Sequence, residues 1–153
     1  MKIDNQFEVA APQAEAWAAL IDPARVARCI PGCVEVAVLS PTAYKATMLV
    51  EVGVIKTRFK LDIAVTRTAP LAELNATIKG EEGSSASTVR ADVALRLAAL
   101  DADRTSVEFS AEVIVAGRLG KFGLGMMKKK ADTVGAQFAE SFRALLESAE
   151  AAT

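Results

Sequence analysis

The 153-residue chain contains no histidine. That absence removes Ser-His-Asp and Cys-His catalysis, every zinc site built on imidazole, and the commonest general base near neutral pH. Cysteine is scarce as well. Cys29 and Cys33 stand alone, and in a reducing compartment they are expected as thiols rather than as a disulfide. Their C-x3-C spacing is not the C-x-x-C of redox and zinc motifs, and no second pair completes a tetrahedral set. Aromatic residues make up only 5%. Neither sign of charge predominates: 18 basic and 19 acidic residues leave a net charge of −1 and a pI near 5.6. A nucleic-acid binder usually shows a basic bias, so this balance argues against one. Nor does any stretch approach the roughly 18 uninterrupted apolar residues of a membrane-spanning helix. The polar start, Met1-Lys2-Ile3-Asp4-Asn5-Gln6, does not open a signal peptide. The expected location is therefore the cytoplasm.

What the chain has in quantity is aliphatic. Hydrophobic residues reach 52%, with a mean hydropathy of +0.26. One domain over residues 1–153 is long enough to bury a substantial core. The apolar excess must be folded away or must line something.

The pattern along the chain is a strand, two short helices, a long run of strands and one long helix. Lys2 to Val9 reads as the first strand. Pro12 is placed to open a helix through Leu20, and Asp22-Pro23 to cap and begin a second, stopped by Pro31-Gly32 near Ile30. From Val34 to Ala116 the period becomes two. Phe59, Leu61, Ile63 and Val65 alternate with charged or small residues, as do Val89 to Leu97 and Val107 to Val115. One face of each strand is thus apolar and the other wet, as in an antiparallel sheet. Turn signals lie at Ser40-Pro41-Thr42, Ala69-Pro70, Gly80 to Gly83 and Asp101 to Arg104, and Val52-Gly53-Val54 marks a bulge or tight hairpin. Leu119 to about Ser148 reads as one amphipathic helix. At about 100° per residue, Leu119, Met126, Met127, Val134, Phe138 and Leu145 share its apolar side. Such a helix lays that side on the concave face of the sheet. The expected fold is α+β: a seven-stranded antiparallel curved sheet wrapped round a long C-terminal helix, with two short helices after the first strand.

Little in this pattern carries chemistry. Gly117, Gly120, Gly123 and Gly125 open the last helix, but their spacing is not G-x-G-x-x-G and no P-loop Ser or Thr follows Lys121. Close backbone packing and room for a ligand are the two explanations open for them. Arg118, Lys121, Lys128, Lys129 and Lys130 form a basic run without an acidic residue. Arg118, Lys121, Lys128 and Lys129 share one helix side, either a solvated face or a contact for an acidic membrane or partner. Lys130, Gln137 and Ser141 fall within the apolar side instead. A buried lysine is costly unless paired, so Lys130 either snorkels to the edge or reaches a polar group in a cavity. Trp17 and Tyr44 are lone aromatics, read as core or rim. Glu15, Glu51, Asp62, Glu108 and Glu112 all fit wet faces. No catalytic set emerges, and no metal site.

Asp22-Pro23-Ala24-Arg25-Val26-Ala27-Arg28-Cys29-Ile30-Pro31-Gly32-Cys33 resembles the signature of the carbon monoxide dehydrogenase G-subunit family. Ala11-Pro12 with Trp17, Val52-Gly53-Val54-Ile55-Lys56, Gly80 through Ser87, and Val115-Ala116-Gly117-Arg118-Leu119-Gly120-Lys121-Phe122-Gly123 follow in order, so the likeness covers nearly the whole chain. The resemblance implies the helix-grip fold of START lipid carriers, the birch-pollen allergen and polyketide cyclases, with an apolar cavity between sheet and helix. It also implies association with a molybdenum hydroxylase of the carbon monoxide dehydrogenase type, docking at the inner membrane surface, and a quinone or other lipid as carried ligand. No tightly bound cofactor is expected. On that reading Phe59, Leu61, Val93, Leu95, Phe109 and Val113 from the strands, with Met126, Met127, Val134 and Phe138 from the helix, form the apolar wall. Lys130, Gln137 and Ser141 are candidates for a polar head group, and Arg118, Lys121, Lys128 and Lys129 for partner or membrane contact. A non-catalytic carrier is the leading expectation. A cyclase-like enzyme, with Glu51, Glu112 or Tyr44 displaced into the cavity for acid–base work, and a ligand-free docking or assembly protein are the alternatives.

Overall fold

The two-residue period of the middle of the chain becomes a single seven-stranded antiparallel sheet in the computed structural model, which describes residues 1–82 and 86–151. Strand β1 (Lys2–Val9) leads into helices α1 (Gln13–Leu20) and α2 (Pro23–Cys29). Strands β2 (Cys33–Ser40), β3 (Ala43–Val52), β4 (Ile55–Ala69), β5 (Glu73–Glu82), β6 (Ser87–Asp101) and β7 (Arg104–Gly117) follow as a meander. A 3-10 turn (Leu119–Phe122) and helix α3 (Leu124–Ala151) complete the fold. The sheet order is β1-β7-β6-β5-β4-β3-β2, so the first strand pairs with the last.

Local chemistry accounts for the junctions. The Asp22 carboxylate accepts from the amides of Ala24 (3.1 Å) and Arg25 (3.5 Å), and Pro23 occupies the first turn of α2. Val52 faces Ile55 across a two-residue turn with Gly53 at φ +59, so the expected irregularity is a tight hairpin. The Asp101 carboxylate takes the Arg104 Nε at 2.9 Å across the last hairpin.

Two expectations need correction. Gly80 does not begin a turn: β5 runs through it to Glu82, and Gly83 lies outside the described residues. Gly80 pairs with Leu61 and Val89, and a Cβ there would collide with the Leu61 side chain and come within 2.9 Å of Val89 Cγ1. Glycine is demanded by packing. The second concerns the last helix, which does not run unbroken from Leu119. Gly123, at φ +85, separates the 3-10 turn from α3. A projection anchored on Leu119 therefore points the helix wrongly. The face α3 buries runs instead through Gly135, Ala139, Phe142 and Leu146.

The core is uneven. Phe7, Val9, Trp17, Leu20, Leu97, Val107, Phe142 and Leu146 are packed where α1 and the later turns of α3 meet the sheet. A smaller cluster of Met48, Val52, Phe59 and Leu119 forms near the β3–β4 hairpin. Helix α3 approaches β1 and α2 closely but stands off the central strands. Among the described residues, no helix is long and apolar enough to cross a membrane.

Candidate functional site

The standoff between α3 and the central strands leaves two apolar chambers. The first, of about 310 Å³, is walled by the inner rows of β4 to β7 and by α3. Val93, Leu95 and Phe109 line it from the sheet, and Val134 and Phe138 from the helix. Ile21, Pro23, Pro41 and Thr42 rim it where the α1–α2 junction meets the β2–β3 turn. The second, of about 490 Å³, lies toward the β3–β4 hairpin. Phe59, Leu61, Met127 and Val134 line it, with Pro31 and Gly32 on its border.

Four of the six phenylalanines run as a chain of rings from the first chamber into the packed core. Phe109 meets Phe138 edge-on at 6.2 Å, Phe138 stacks on Phe142 at 5.7 Å, and Phe142 meets Phe7 edge-on at 6.2 Å. Gly135 lets the ring of Phe109 reach the helix, since a Cβ there would lie 3.1 Å from Phe109 Cζ. The Pro31-Gly32 corner is placed by β3: the Leu49 amide donates to the Gly32 carbonyl at 2.8 Å. Gly32 has φ +84, and any Cβ on it would strike the Leu49 carbonyl. Cys29 is buried at the end of α2, where its thiol donates to the Arg25 carbonyl at 3.5 Å and desolvation pushes it upward.

Among the described residues, the polar side chains that line the first chamber are Thr42, Tyr44 and Thr68. Burial, with a smaller contribution from nearby Cys33, pushes the Tyr44 phenol above its ordinary value, so it remains a proton donor. Its hydroxyl has no hydrogen-bond partner among the described residues. The second chamber is more polar, with Glu51, Lys130 and Gln137 on its wall.

Placement of the remaining candidates is mixed. Val113 is half-buried on the inner row of β7 between Ala111 and Val115, and borders neither chamber. Met126 is 44% exposed, and Ser141 is exposed too; both lie off the buried face of α3 once the break at Gly123 resets its direction. Lys121, Lys128 and Lys129 are exposed, with the Lys128 amine 3.3 Å from the Lys2 carbonyl on the β1 side. Of the glycines before α3, Gly120 packs against backbone, its Cβ position lying 2.9 Å from the Val115 carbonyl, whereas open space surrounds Gly123 and Gly125.

Arg118 belongs elsewhere. Its Nε donates to both oxygens of Glu82, at 3.1 and 3.0 Å, and a terminal nitrogen donates to the same carboxylate. Glu82 is 1% exposed, and the hydroxyls of Thr57 and Ser87 also favour its charged form. Arg118 foremost holds the carboxyl down at about 2, against an ordinary 4.5. The Leu119 amide donates to Ser87 Oγ at 3.1 Å, so this latch ties the 3-10 turn to the sheet and holds Leu119 beneath the second chamber. A depressed carboxyl contributes stability that is full above its unfolded value and lost as pH falls through the folded one. Glu82→Gln is therefore expected to lower the melting temperature at neutral pH, with the deficit shrinking from about pH 4.5 toward pH 2. Thermal melts across that range check it, and a deficit that does not depend on pH would contradict it.

These chambers sit in a recognisable chain. The family model of the carbon monoxide dehydrogenase G-subunit (CoxG) matches residues 6–147. The protein belongs to the CoxG family. No curated protein sequence matches it. Among solved structures, a conserved protein from Geobacillus kaustophilus superposes with a TM-score of 0.88 at 21% identity, over 97% of this chain and 96% of that one. A START superfamily protein from Mycobacterium smegmatis gives 0.77 at 16% identity, over 96% and 97%. The ZhuI aromatase/cyclase from Streptomyces sp. R1128 gives 0.64 at 18% identity, over 98% and 93%. At these identities the likeness is one of fold: this CoxG protein is a START-like helix-grip domain.

Tyr44, read from the sequence as core or rim and as an acid–base group only for an enzyme, lines the first chamber. Its position on the inner row of β3, opposite Val38 and Ile63, was readable from the strand period. What the period does not show is which inner positions face packed core and which face a void.

Proposed function

We propose that this CoxG protein is a non-catalytic carrier of a neutral hydrophobic ligand, an isoprenoid quinone or similar lipid, serving a molybdenum hydroxylase of the carbon monoxide dehydrogenase type at the inner face of the membrane. The observation that carries the reading is the first chamber, whose lining includes no charged side chain among the described residues. An ionised ligand buried there would lose its hydration without compensation, whereas an apolar ring or chain gains by leaving water. Membership of the family supports that choice of partner enzyme, and the exposed Lys121, Lys128 and Lys129 are the side chains available for an acidic surface. Arg118 is not among them, being bound to Glu82.

An enzyme of the cyclase type is the weaker reading. Glu112 lies on the outer face of the sheet, and Glu51 is exposed and paired with Lys56 at 3.7 Å. That leaves Tyr44 as the one proton-transfer group in the first chamber, and its raised pKa makes it a poor base near neutrality. Titration of the purified protein with a long-chain quinone in detergent tests the carrier reading. Saturable binding near one per chain is expected, and its absence would sink it.

The unpartnered Tyr44 hydroxyl is assigned to a carbonyl or similar acceptor on the ligand. A net hydrogen bond of this kind contributes about 0.5–1.5 kcal/mol, so Tyr44→Phe is expected to weaken quinone binding roughly 2- to 10-fold. An unchanged Kd would remove Tyr44 from the site.

A further inference from the structure

The two chambers adjoin at Val134. Leu61 stands on the inner row of β4 between Phe59, which faces the second chamber, and Ile63, which faces the first. It packs against both apolar clusters. From the helix, Val134 lines both chambers. Gly80, across the ladder from Leu61, has no side chain, and a Cβ there would occupy the place of Leu61 Cδ2. Leu61 is thus drawn down toward the sheet, away from the helix.

Volume and polarity divide the chambers. A cavity of about 150 Å³ holds benzene, so the first chamber's 310 Å³ holds a fused bicyclic ring but not a long chain as well. A chain leaving by the mouth at Ile21 and Pro41 would place its methylenes in water, which the hydrophobic effect disfavours. The second chamber offers apolar wall from Phe59, Leu61, Met127 and Val134, with Lys130 and Gln137 as its polar border.

We infer that the chambers form one site for an elongated amphiphile, its compact uncharged head in the first chamber and its apolar chain passing the Leu61–Val134 waist into the second. Leu61 and Val134 are then specificity-determining residues for chain-bearing ligands. This inference rests on the carrier reading and deepens it.

The test compares two probes, a methylnaphthoquinone without a side chain and the same ring bearing a tetraprenyl chain. Each is titrated into the wild-type protein and into Leu61→Trp and Leu61→Phe, with melting temperatures measured alongside. Leu61 is half-buried and lines the second chamber but not the first, so the smaller Leu61→Phe serves even where Leu61→Trp fails to fold. Expected is a loss of roughly tenfold or more for the chain-bearing probe, with the chainless probe little changed. Equal losses for both probes, or none for either, in a folded variant would overturn the waist. Wild-type protein that binds both probes with equal affinity would overturn it too while leaving the carrier reading intact. Wild-type protein that binds neither probe would overturn both.

Discussion

Phe142→Ala is expected to remove about 3–5 kcal/mol of folding stability, the usual cost of emptying a fully enclosed aromatic site. Phe142 has 0% exposure. Its ring stacks on Phe138 at 5.7 Å and meets Phe7 edge-on at 6.2 Å, so truncation opens a void between α3 and β1. Little can collapse into that void, because rigid sheet lies on one side and helix on the other. Domains of this size are stable by about 5–15 kcal/mol, so one side chain accounts for a large share. Urea denaturation measures the loss. Leu39→Ala is the control: Leu39 is 63% exposed, and its truncation is expected to stay within about 0.5 kcal/mol. A Phe142→Ala loss below about 1 kcal/mol would mean that the helix is not seated as described.

The second large effect is on binding rather than folding. Ala111 lies on the inner row of β7, half-buried, and lines the first chamber opposite Val93. Ala111→Phe directs a benzyl group into that space. Since about 150 Å³ suffices for benzene, the new ring takes up about half of the 310 Å³. Filling a cavity strains a protein less than enlarging a side chain in packed core, so the melting temperature is expected to hold or rise. The ligand's ring, by contrast, loses its place. A fall in quinone affinity of roughly 100-fold or more is expected, equivalent to about 2.8 kcal/mol. Ile114→Phe, on the exposed outer face of the same strand, should change neither quantity. Retained affinity in a folded Ala111→Phe protein would show that the ligand sits elsewhere.

The inner rows of the sheet were legible because burial on one face imposes a period of two. Phe59, Leu61, Val93, Leu95 and Phe109 all stand on the inner row, as their alternation indicated, and each borders a chamber. The small wall residues were not legible, since Ala76, Ala111 and Ala131 carry no signature that separates wall from packed core. Met126 and Ser141 were misplaced for a definite reason: Gly123 breaks the helix, and Leu119 belongs to the turn before it. The Glu82–Arg118 latch was hidden for another. Its partners stand 36 residues apart, one within an apparent turn signal and the other within an apparent basic patch. Only the β5–β6–β7 pairing brings them together.

The central claim is that the space between sheet and helix is a ligand site, and mass spectrometry of an organic extract of protein purified from its native cells tests it most directly. The account predicts a neutral lipid at close to one per chain, with a hydrogen-bond-accepting ring and an apolar chain, and its loss from Ala111→Phe protein. An extract without such a lipid, from protein that also takes up no added quinone, would contradict it.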